Sequence, residues 1–137
     1  MKRLNLIAAF LTLVVLSSCG LGGSNVAKDT PAEVKLTVSE LRHFDEDARK
    51  GDMGKVGTVI GKVISSKRAA PNEKEMGSHF IHIYAEKGPD EKFDPQISCY
   101  TWGNPGLNPG DIVELKGNIG RGAAMGHSLL NCSVEKK

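Results

Sequence analysis

Leu107-Asn108-Pro109-Gly110-Asp111-Ile112-Val113-Glu114-Leu115-Lys116-Gly117-Asn118-Ile119-Gly120 is a turn followed by a strand. Asn, Pro, Gly and Asp each favour a reversal, through a fixed φ, a positive φ or a side chain that bonds its own backbone. Period-two alternation then puts Val113, Leu115, Gly117 and Ile119 on one face. Glycine inside a strand weakens it unless the backbone bends sharply there or another chain passes close by. Gly117, and Gly61 in an earlier run of the same kind, therefore point to tightly coiled strands rather than a flat sheet.

The same alternation recurs on both sides of this stretch. From Val56 to Ser65, Val59, Gly61 and Val63 face one way, with Ile60, Lys62 and Ile64 facing the other. His79 to Ala85 sets Ile81, Ile83 and Ala85 against Phe80, His82 and Tyr84, and Gln96 to Trp102 sets Ile97 and Cys99 against Tyr100 and Trp102. Ser128 to Glu135 places Leu130, Cys132 and Val134 together. With Ile112 to Gly120, these runs predict five short strands. Ahead of them, Val38, Leu41, Phe44 and Ala48 recur at helical spacing, Thr37 and Glu40 form a capping box, and Gly51 follows the basic pair Arg49 and Lys50. A helix is predicted over Val38 to Lys50. Five strands and one N-terminal helix imply an all-β barrel, because closure removes the exposed edges of a small open sheet.

The start of the chain sets the compartment. Lys2 and Arg3 precede an apolar run from Leu4 to Leu16, about 20 Å long as a helix and short of a hydrocarbon core of about 30 Å. Such a run suits a removable export signal. Leu16-Ser17-Ser18-Cys19 resembles the lipobox of bacterial lipoproteins, in which the cysteine receives a diacylglyceryl group and becomes the mature N-terminus. That resemblance implies a signal peptide over 1–18, lipid on Cys19, a flexible tether through residue 36 and one domain over 37–137. Gly20, where the family's retention signal is mainly aspartate, points to the outer membrane, facing the periplasm, if the source is a diderm bacterium. Removing 1–18 takes Lys2 and Arg3 away and leaves 16 basic against 16 acidic residues. A neutral domain lacks the basic excess by which proteins hold phosphate backbones. Of three cysteines, lipid takes one, and the even remainder of Cys99 and Cys132 suits one disulfide in an oxidising compartment.

The domain also resembles the tRNA-anti-like OB-fold family. The residues carrying this are Ala48 near the helix end, Val59-Ile60-Gly61-Lys62-Val63, Ile97-Ser98-Cys99-Tyr100, Leu107 to Val113, Leu115-Lys116-Gly117 and Leu130-Asn131-Cys132. The resemblance implies a five-stranded Greek-key OB barrel in which the third and fifth strands are neighbours. It thereby implies a cross-strand Cys99–Cys132 bridge closing about 34 residues, worth on the order of 3 kcal/mol. Two buried free thiols are the alternative. Fold alone does not carry function.

OB folds bind ligands on the face of strands two and three. Phe80, His82, Tyr84, Tyr100 and Trp102 fall on the outward register there, with Lys62 and Arg121 as rim charges. Either these rings form a ligand face, or a helix or long loop covers them as a second small core. His79 and His82, three apart in a strand, point to opposite faces, and with His43 on a helix and His127 in a loop no metal site is expected. Gly117-Asn118-Ile119-Gly120-Arg121-Gly122 leads into a strand, so no helix N-terminus follows to hold phosphate. No nucleophile-base set is legible, and pairing would remove Cys99 as a nucleophile. The expectation is a non-catalytic module without cofactor. It binds the membrane through Cys19 and takes a protein, peptide or oligosaccharide partner, with single-stranded nucleic acid as the alternative.

Overall fold

The structure, a computed structural model, describes residues 23–44, 50–121 and 127–137. The export segment and Cys19 lie outside them, as do Ala48 and Arg49 of the expected helix. Among the described residues six strands form: β1 Val34–Leu36, β2 Val56–Arg68, β3 His79–Tyr84, β4 Gln96–Thr101, β5 Ile112–Arg121 and β6 His127–Lys136. The order β2-β3-β4-β6-β5 closes on itself because the first half of β2 pairs with β5 while its second half pairs with β3. Every pair in this ring is antiparallel except β4 with β6. This is a five-stranded mixed barrel with, among the described residues, a single short α-helix, consistent with an OB fold.

Alternation placed most of the interior. Val59, Val63, Ile81, Ile83, Ile97, Cys99, Val113, Leu115, Ile119 and Cys132 are all buried, as the strand patterns require. The Cys99–Cys132 disulfide is present, with Cα atoms 6.5 Å apart, and both cysteines are fully buried. In β6 the register differs from the simple alternation. Leu129 is buried and Leu130 only partly so. The cause is a bulge opposite Gly117, where pairing steps from Lys116↔Ser133 to Asn118↔Leu130 and Asn131 takes φ 54°. Two residues facing one reverse the parity of everything N-terminal to the bulge. Glycine is required at the facing position, since a Cβ on Gly117 would lie 2.6 Å from Leu130 O and 2.8 Å from Cys132 Sγ.

The helix is shorter than its apolar stripe suggests. Helix α1 covers Val38–Arg42, with His43 as its C-cap, and Lys50 opens a 3₁₀ turn to Asp52. The capping box forms as read, Glu40 N donating to Thr37 Oγ1 at 3.1 Å and Thr37 N to Glu40 Oε2 at 2.8 Å. His43, at φ −95° and ψ 22°, has already left helical geometry and closes the helix. Val38, Leu41 and Phe44 are still fully buried, joining the barrel core from one end, where Phe44 lies 5.2 Å from the ring of His127.

The stretch read as tether is tied to the barrel over its described part. Val34–Leu36 pairs in parallel with Gly57–Val59, filling an edge of β2 that β3 does not reach. Val26 N donates to Asn131 O at 2.7 Å. Backbone groups beside an unfilled strand edge gain partners by this docking, a contact that composition does not signal.

Candidate ligand-binding surface

The outward residues of β3 form a row, Phe80, His82 and Tyr84, each half-buried. Cross-strand pairing sets Lys67 and Tyr100 beside Phe80, Ser65 and Ser98 beside His82, and Lys62 and Gln96 beside Tyr84. Lys67 Nζ lies 5.8 Å from the Phe80 ring centre, and Phe80 meets Tyr100 edge-on at 5.3 Å. Burial, and then the charge of Lys67, push the His82 imidazole below its ordinary range. The face that alternation predicted thus brings together Phe80, His82, Tyr84 and Lys62.

Tyr100, Trp102 and Arg121 depart from it. Tyr100 is only 1% exposed. The β2–β3 connection folds over it, Tyr100 Oη donating to Glu73 Oε1 at 3.3 Å, while Ser78 N donates to Thr101 O at 3.0 Å. A Cβ on Gly77 would sit 3.2 Å from Tyr100 Cβ and 2.9 Å from Thr101 O, so this loop lies flush on the strand. The covering loop is the second of the two arrangements open from the sequence. Trp102, just beyond β4, turns towards β6, where its Nε1 donates to Asn131 Oδ1 at 3.0 Å. Arg121 ends β5 nine residues from Ile112, the partner of Lys62, about 30 Å along the strand. Lys62 and Arg121 therefore do not rim one face.

His79 Nδ1 pairs with Ser78 Oγ at 3.1 Å, and the residue lines a groove with Arg68, Lys74 and Trp102. Among the described residues no group of three or more metal-ligating side chains converges.

A second surface lies away from this row. A groove of about 540 Å³ lies along β1, β2 and β5, with Leu36, Ile60 and Ala85 as its apolar part and Lys35, Glu114 and Lys116 as its charges. This volume falls in the range of small-ligand and peptide sites. Ile60 is 53% exposed, and its diagonal neighbour Ile112 is 50% exposed. The available signal was an isoleucine on the outward register of each of two paired strands, although single exposed apolar residues are common.

The closed order with one parallel pair defines the class, a five-stranded OB barrel, and that assignment rests on the strand register. No family model matches the chain, and no curated protein matches its sequence. Among solved structures, one described as the second single stranded DNA binding protein (SSBb) of Mycobacterium smegmatis aligns with a TM-score of 0.45 and 15% identity, over 62% of this chain and 90% of that one. A putative aspartyl-tRNA synthetase of Leishmania major Friedlin aligns with a TM-score of 0.46 and 10% identity, over 84% of this chain. The aligned part spans 23% of the synthetase.

Proposed function

We propose that this chain is a lipid-anchored, non-catalytic OB-fold binding module of the cell envelope, which holds a protein, peptide or oligosaccharide partner. The observation that carries the reading is the Cys99–Cys132 bridge inside the barrel. It accounts for two of the three cysteines, favours an oxidising compartment, and leaves Cys19 alone at the end of Leu16-Ser17-Ser18-Cys19. The β1–β2–β5 groove, with apolar Ile60 between charged neighbours, is the surface assigned to the partner. Nucleic acid is the weaker reading, because stacking needs accessible rings and Tyr100 is covered, with the carboxylate of Glu73 at its hydroxyl.

Intact mass of the protein purified from its native membrane tests the anchor. The expected species starts at Cys19 and carries acyl mass; a chain retaining Met1 without lipid overturns the reading. Photo-crosslinking residues placed at Ile60 and at Phe80 in living cells test the surface. A discrete partner adduct at Ile60 supports the groove, whereas oligonucleotide adducts at Phe80 transfer the function to the β3 face.

A further inference from the structure

The first described residues are latched to one pole of the barrel. Asn25 Nδ2 donates to Trp102 O at 2.9 Å, and Asn25 Oδ1 accepts from Trp102 N at 2.8 Å. The backbone at Gly23 passes so close to the Trp102 indole that a Cβ there would overlap the ring. Lys116 Nζ donates to Lys28 O at 2.6 Å. Gly23 is four residues beyond Cys19, and four residues extend at most about 14 Å. A lipid on Cys19 would therefore hold the Trp102 pole against the bilayer, whatever the rest of the barrel does.

The chemistry of that pole suits such a neighbour. Trp102 stands between two grooves, one formed by Asn25–Lys28, Trp102–Pro105 and β6, the other by Arg68, Lys74, Gly77 and His79. Lys28, Arg68 and Lys74 are exposed, and neither groove has a carboxylate in its lining among the described residues. Glu73, which accepts from Tyr100 and from Ala70 N, and the exposed Glu75 flank Lys74 outside both linings. Lys28 also borders a groove with Glu114 and Glu135 that Trp102 does not line. A half-buried indole whose two grooves are lined by basic and no acidic side chains among the described residues matches the headgroup layer of an anionic membrane, where aromatic rings settle and basic side chains are attracted.

We infer that the Trp102 pole, with Lys28, Arg68 and Lys74, is a docking face for the anionic phospholipid headgroups of the membrane that carries the anchor. This rests on the lipid-anchored reading and adds an orientation: the pole faces the bilayer and holds the barrel down. Trp102 is the chain's single tryptophan, so its emission reports on this pole alone. The test uses the full acylated protein in vesicles of phosphatidylethanolamine and phosphatidylglycerol, with a nitroxide on a fraction of the headgroups. Trp102 emission is expected to fall at least twofold. The quenching should grow with phosphatidylglycerol content, weaken with salt, and persist when a 20-residue Gly/Ser segment is inserted before Gly23. In the lengthened protein, Arg68→Glu with Lys74→Glu should abolish it, the unchanged emission maximum in detergent showing that the barrel is intact. Acyl mass on Cys19 without headgroup quenching overturns this inference alone, as does quenching indifferent to phosphatidylglycerol and to the charge reversals. Absence of acyl mass overturns the anchored reading, and the proposed orientation with it.

Discussion

Reducing the Cys99–Cys132 bridge should cost this barrel much of its stability without changing its shape. The cysteines are 33 residues apart, and closing a loop of about 34 residues removes about 3.8 kcal/mol of chain entropy from the unfolded state at 25 °C. The folded state loses little, because the barrel itself holds the two Cα atoms 6.5 Å apart and the two sulfurs stay buried in place. Domains of this size are stable by about 5–15 kcal/mol, so the change is a large share of the whole. At about 4–8 °C per kcal/mol, the melting temperature should drop by about 15–30 °C. Urea unfolding of the oxidised and the fully reduced chain, with thiols counted by mass after alkylation, measures this directly. Coincident curves within about 0.5 kcal/mol would refute the reasoning, because the unfolded chain would then gain nothing from release of the loop.

Three further outcomes follow from local geometry. Gly117→Ala should destabilise by about 1–3 kcal/mol or more, since its Cβ meets backbone at 2.6 Å, while Gly88→Ala, whose nearest neighbour is Glu91 Oε2 at 3.7 Å, should be neutral or stabilising by up to about 1 kcal/mol. Equal urea midpoints for the two variants would contradict this. Thr37→Ala removes one half of the capping box and should cost about 1 kcal/mol in the same assay, with no change in m-value. His82 is held below its ordinary range by burial and then by Lys67, so as pH falls through about 6.5 the unfolded chain takes up its proton before the folded one. The stability present above that pH is lost between there and the lower folded value; His82→Phe should flatten this part of the pH profile, and an unchanged slope would exclude His82 as its source.

The local devices were readable from residues alone because each depends on near neighbours. The capping box, the turn at Asn108 to Asp111 and the inward parity of β2 to β5 are cases where side-chain type and spacing already fix the backbone choice. The aromatic row Phe80, His82 and Tyr84 was legible for the same reason. The fate of Tyr100 was not, because parity says which side a ring leaves the strand and nothing about what lies on that side. The loop carrying Glu73 reaches it from 27 residues away. Leu130 was misplaced for a related reason, since a bulge at Asn131 depends on the facing Gly117 of another strand.

By itself the sequence determined the capping box, the turn before β5, the inward parity of β2 to β5 and which cysteines were available to pair, all properties set within a few residues or by composition. Tertiary structure decided which outward residues remain accessible, that Lys62 and Arg121 lie at separate ends, and that Asn25 ties the N-terminal segment to Trp102. Those outcomes depend on contacts between residues 27 to 77 positions apart, and such contacts exist only once the barrel has closed and brought the partners within reach.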